Sequence, residues 1–174
     1  MNPKTDIRYR RDYAKKLYQG DREFEDVWMD IIKFGGIFEE VFELYQEKIL
    51  KAIPSLSGYE WGEHTDPFIP IYIVFEGESF SQPLTIQAQE DTSAMLVDVI
   101  TQLVQCNLHY GFKTPAERVA AVQVITTAVT DVLDVDLSDA IQDMNERNIY
   151  TDRESYKLPE WDLSSQTAKA FLEN

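Results

Sequence analysis

From Asp21 to about Ile53 the apolar residues Phe24, Val27, Trp28, Ile31, Ile32, Ile37, Phe38, Val41, Phe42, Tyr45 and Ile49 recur at steps of three and four. That period marks an amphipathic helix, because 3.6 residues per turn bring such positions onto one side. The pair Gly35-Gly36 predicts a kink or a split, each glycine costing about 1 kcal/mol relative to alanine in a helix. Pro54 is expected to end the element. Residues 55–70, SLSGYEWGEHTDPFIP, show no period and read as a loop. The period then falls to two. In IYIVFE, Ile71, Ile73 and Phe75 alternate with Tyr72 and Val74, so both faces are mostly apolar, as in a central or covered strand. In PLTIQAQ, Leu84, Ile86 and Ala88 alternate with Thr85, Gln87 and Gln89, which predicts one wet face, and Pro83 at its start suits an edge. The linking GESFSQ predicts an antiparallel hairpin between the two.

Helical periods return after the strands. Asp91 or Thr92 is the expected N-cap of a helix through Met95, Leu96, Val99, Ile100, Leu103 and Val104 to Gly111. TPAE then forms a capping box, with Thr114 as cap, Pro115 at the first helical position and Glu117 at the third, opening a helix through Val122, Ile125 and Val129 to Leu133. A shorter helix is expected over Ser138–Arg147. At the other end, residues 5–18, TDIRYRRDYAKKLY, read as a basic, tyrosine-rich helix stopped by Gly20. The order helix, hairpin, helices predicts an α+β class: a helix-rich domain with a small antiparallel hairpin or sheet. At 174 residues the chain bounds one domain, 1–174, with 1–20 as a basic N-terminal arm or helix. Residues 148–174 form a polar tail whose Trp161 and Phe171 suggest docking on the domain.

Composition narrows the class of function. A hydrophobic share of 44% lies in the globular range, far from disorder. A single cysteine, Cys106, excludes an intrachain disulfide, and with no secretory leader pattern a cytoplasmic setting is expected. No run approaches the ~18 to 20 apolar residues of a membrane span. The formal charge of −15 is unevenly spread: residues 1–22 hold seven Lys and Arg against three Asp, whereas residues 52–112 hold eight Asp and Glu and no Lys or Arg. That field keeps the body of the domain off nucleic acid and anionic membrane. The acidity serves solubility, or docks a basic partner.

Candidate chemistry is sparse. In FEEVFELYQE, Glu39, Glu40 and Glu43 could share a hard divalent cation, and they resemble the EExxE signature of all-α NTP pyrophosphohydrolases. The second acidic pair of that family, ExxD on a following helix, is absent, and the same residues read as a solvated acidic face. His64 lies beside Glu63 and Asp66 in GEHTD, and with His109 and Glu117 it makes up the candidate metal ligands, Asp98 being a further acid. Cys106 precedes His109 by three residues, a spacing at which a histidine can activate a thiol, but a buried helical cysteine has the same pattern. No GxSxG elbow is present, and Ser79 and Ser81 have no partner base visible in the sequence.

A second resemblance spans about 65 residues. The segments IPIYIVFEGESFSQPLTIQ, MLVDVITQLVQCNLHYGF and TPAERVAAVQVITTAVTDVL resemble the layout of small zincin-like metallopeptidases, in which an HExxH helix follows a sheet segment and the next helix supplies a third ligand. In register, TQLVQ takes the place of HExxH, and Glu117 stands where the third ligand would. Thr101, Gln102 and Gln105 thus replace both histidines and the glutamate. Threonine and glutamine are poor zinc ligands and an amide is no base. The resemblance therefore implies a scaffold without the usual zinc hydrolysis, and Glu117 is also explained as part of the capping box. The expectation is a binding or self-association role with a protein partner or a homo-oligomer, and no cofactor. A metal-dependent hydrolase with non-standard ligands is the alternative.

Overall fold

The computed structural model describes residues 1–62, 65–75, 79–108 and 115–147. In chain order the elements are β1 (Lys4–Arg8), α1 (Arg11–Leu17), α2 (Phe24–Ser57), β2 (Phe68–Val74), β3 (Phe80–Ser81), β4 (Leu84–Gln87), α3 (Thr92–Asn107), α4 (Pro115–Val132) and α5 (Ser138–Arg147). The class is α+β. The four strands form one mixed sheet in the order β1-β2-β4-β3.

The sheet departs from the expected hairpin. β2 pairs with β4 in parallel, Ile73 opposite Ile86, and among the described residues the only antiparallel pair is the short one between β3 and β4. Alternation gives the face of a strand but not its direction, and β3, only two residues long, carries no period of its own. β4 is therefore interior, and Pro83 occupies the turn before it instead of marking an edge. Its expected wet face is dry only at Thr85, which is fully buried, while Gln87 and Gln89 stay partly exposed. Thr85 and Tyr72 are register partners, and Tyr13 of α1 covers both, its hydroxyl 2.9 Å from Thr85 Oγ1 and its ring 5.2 Å from that of Tyr72. On the opposite face Ile71, Ile73, Leu84 and Ile86 enter the core.

The helix expected over residues 5–18 is confined to Arg11–Leu17. Lys4–Arg8 is an edge strand parallel to β2, from Lys4 opposite Phe68 to Arg8 opposite Tyr72. Thr5 and Ile7 turn partly inward while Lys4 and Asp6 stay exposed, a period of two too short to stand out inside a basic run. Three cations of residues 1–22 are engaged within the domain. Arg8 pairs with Asp6 at 3.0 Å and lies over the Phe68 ring, Arg11 pairs with Glu25, and Arg22 pairs with Asp30 at 2.8 Å.

α2 continues unbroken through both features expected to interrupt it. Gly35 is buried, and a Cβ there would come within 2.6 Å of the Tyr9 ring, so glycine lets the end of β1 lie against the helix. Pro54 sits inside the helix and has no N–H to offer the carbonyl of Leu50. The indole of Trp61 donates to that carbonyl instead, at 2.7 Å, so the helix runs one further turn. It ends at Gly58 in the left-handed conformation, φ 80°, where the Gly58 N–H reaches the Pro54 carbonyl.

α2 packs on α3, α4 and β2, and α3 also meets β3, β4, α4 and α5. α3 is thus the central helix. Asp91 caps it as expected, accepting from the N–H groups of Ser93 at 2.9 Å and Ala94 at 3.2 Å. The expected apolar positions of α3 and α4 are buried, from Met95 to Val104 and from Val122 to Leu133. The same holds for only part of the stripe on α2: Ile32 and Ile37 face outward.

Candidate functional site

Thr101, Gln102 and Gln105 belong to α3, the most enclosed helix among the described residues. Twelve of the sixteen residues of α3 are buried, since sheet and helices surround it. The Thr101 hydroxyl donates to the Val97 carbonyl at 2.8 Å and meets Met144 Sδ of α5 at 3.0 Å. Gln102 is buried, and its Oε1 has no hydrogen-bond partner among the described residues. Gln105 is half-buried, and the Arg118 guanidinium donates to its backbone carbonyl at 3.3 Å. Glu117 is half-buried in the first turn of α4. Thr101 therefore stacks α5 onto α3, and Gln105 tethers α4 through its carbonyl. His64 and His109 lie outside the described residues, as do Thr114 of the capping box and the tail from residue 148. Among the described residues no three His, Cys, Asp or Glu side chains are grouped closely enough to hold a metal ion.

The nucleophile candidates are held by the scaffold. Cys106 is buried and its thiol donates to the Ser81 carbonyl at 3.4 Å, joining α3 to β3. Burial pushes that thiol up to about 11, against the opposing pull of Arg118. A thiol kept protonated at neutral pH is a poor nucleophile. Ser79 has a carboxylate neighbour that the sequence did not reveal, Asp98 Oδ2 at 3.3 Å, which also accepts from Gln89 at 3.5 Å. The Ser79 oxygen accepts in turn from the Gln87 N–H at 3.2 Å, so this cluster ties the β3–β4 segment to α3. Glu39 accepts from the Tyr9 hydroxyl at 3.1 Å, and burial followed by the Glu39 charge raises the Tyr9 pKa. Glu40 and Glu43 are exposed.

Two surface features remain. Between α4 and α5 lies a cleft of about 560 Å³ lined by Thr127, Thr130, Asp131, Asp136, Gln142 and Glu146 over an apolar floor of Val135, Leu137 and Ile141. Asp136 accepts from the Ser138 N–H at 3.1 Å and hydroxyl at 2.6 Å at the start of α5, which holds its carboxyl below the usual range. None of Thr101, Gln105 and Glu117 lines this cleft. The second feature is the outward face of α2, where Met29, Ile37 and Leu44 are 66%, 48% and 74% exposed on the side opposite the buried Val27, Ile31, Phe38 and Phe42. Met29 and Leu44 fall out of phase with the buried stripe, and that displacement was the sequence signal for a second apolar face.

No family model, curated protein or solved structure matches this chain. Its function has to be argued from these side chains. No helix among the described residues is long and apolar enough to cross a membrane.

Proposed function

We propose that the chain is a non-catalytic binding domain whose partner is a protein, its own copy included. The observation that carries this reading is the outward face of α2: large apolar side chains at helical spacing on a helix whose opposite side already fills the core. Surface apolar residues scattered singly need no explanation, but a row along one helix face is a common form of protein contact. The engagement of Thr101, Cys106, Ser79 and Asp98 in scaffold contacts supports the same reading. On the zincin-like layout, Thr101, Gln102 and Gln105 neither hold zinc nor move a proton, so that scaffold too would serve binding.

The rival is a metal-dependent hydrolase drawing on His64, His109, Glu117 or Asp98, or on Glu39, Glu40 and Glu43 with nucleotides. Melting with added Zn²⁺, Mn²⁺ or Mg²⁺, together with turnover of peptide and nucleotide panels, separates the two. A metal present at a hundred times its Kd would stabilise the fold by about 2.7 kcal/mol, a rise of roughly 5 to 10 °C. The binding reading expects an unchanged melting temperature and no turnover. Stabilisation accompanied by metal-dependent hydrolysis would overturn it.

A further inference from the structure

We propose that two copies of this chain pair through the outward face of α2, the two helices crossing antiparallel about the Gly36–Ile37 bond. The proposal rests on the binding reading and commits it to one partner. Met29, Lys33 and Ile37 form one ridge of residues four apart, and Ile32, Gly36, Glu40 and Leu44 form the next. Ridges of this kind interdigitate when two helices cross. About a twofold axis at the Gly36–Ile37 bond, Met29 meets Leu44 of the partner subunit, Gly36 meets the partner's Ile37, and Lys33 meets the partner's Glu40. Apolar falls on apolar, small on large and cation on anion, each pair occurring twice, as an isologous contact requires.

Gly36 is an independent observation for the same place. Gly35 has a reason inside the chain, the Tyr9 ring, but a Cβ on Gly36 would meet nothing within 4 Å. A glycine in mid-helix disfavours the helix, and no contact among the described residues explains this one. Close approach of a second helix at the crossing point does. Asp26 and Glu47 of the partner subunit share the symmetry but are alike in charge, and divergence of crossing helices holds them apart. The sheet edges are poorer contacts: β1 presents Lys4, Asp6 and Arg8, and β3 is two residues long. Two copies each of formal charge −15 repel at long range, so salt that screens this field favours pairing through α2. A contact of the basic residues 4–22 with an acidic neighbour would weaken with salt instead.

Sedimentation velocity of the full chain over a concentration series, at low and at physiological salt, tests the proposal. Wild type is expected to move from 20.2 kDa towards twice that mass, more readily at the higher salt. Lys33→Glu and Glu40→Lys should each weaken pairing roughly tenfold or more, and the double variant should restore it, because the ion pairs are re-formed with reversed sign. Leu44→Glu should abolish it. All three positions are exposed, and circular dichroism melting of each variant as a dilute monomer checks that the fold is intact. Wild type that stays monomeric throughout, a double variant no better than the singles, or pairing that weakens with salt would each overturn the proposal. A monomeric wild type leaves the binding reading standing, because metal-dependent turnover is the result that removes that reading.

Discussion

Replacing Trp61 by Phe tests how α2 tolerates an internal proline. Within the helix the carbonyl of Leu50 would normally accept from residue 54, but Pro54 has no N–H, and the Trp61 indole donates at 2.7 Å in its place. Both Leu50 and Trp61 are buried, 4% and 5% exposed, so water does not replace a lost donor. A buried carbonyl left without its partner costs about 1 to 3 kcal/mol, and the smaller ring about 1 more in lost packing. Trp61→Phe should therefore destabilise by about 2 to 4 kcal/mol, lowering the melting temperature by roughly 5 to 15 °C. Pro54→Ala returns the helical N–H to Leu50. In that background Trp61→Phe should cost only its packing share, leaving a coupling of about 1 to 3 kcal/mol between the two positions. Urea unfolding of the four proteins, followed by circular dichroism at 222 nm, measures the cycle. Equal costs of Trp61→Phe in both backgrounds would refute the assignment of the indole to the missing helical bond.

The adjacent glycines of α2 should respond oppositely. In the dilute monomer Gly36→Ala should gain about 1 kcal/mol from helix propensity, whereas Gly35→Ala should lose about 1 to 3 kcal/mol as the Tyr9 ring is forced away, both read from urea midpoints. Stabilisation by Gly35→Ala would show that Tyr9 does not lie there. Asp91→Ala removes a cap that satisfies two N–H groups of α3, and thermal melting should show a loss of about 1 kcal/mol. Cys106 makes stability depend on alkaline pH. Its folded pKa, about 11, lies above the ordinary 9.0, so its contribution is complete below pH 9 and is lost as pH rises from 9 towards 11, by at most about 1.4 kcal/mol per pH unit. Urea midpoints between pH 8 and 10.5 should fall less steeply for Cys106→Ala, and an identical slope in both proteins would contradict the burial of the thiol.

Much of the helical architecture was legible from period and punctuation alone. The Asp91 cap, the apolar positions of α3 and α4 and the limits of α5 follow from side-chain spacing and local hydrogen bonding, which neighbouring residues determine. The candidate chemistry was legible mainly as a lack: Thr101, Gln102 and Gln105 cannot perform the work of a zinc motif wherever the fold places them. What stayed hidden depends on groups far apart in sequence. Lys4–Arg8 becomes a strand because Phe68–Tyr72 is there to pair with it, and β2 and β4 run parallel although alternation carries no direction. Thr85 is dry because Tyr13 covers it, and α2 passes Pro54 because an indole seven residues later supplies the absent donor. The sequence by itself determined most of the helices, the charge field and the lack of a complete HExxH or GxSxG motif, since those are properties of each residue and its near neighbours. Only the tertiary structure decided strand direction, which polar groups are buried and which face of α2 stays outside the core, because burial and long-range pairing depend on what else the chain brings to the same place.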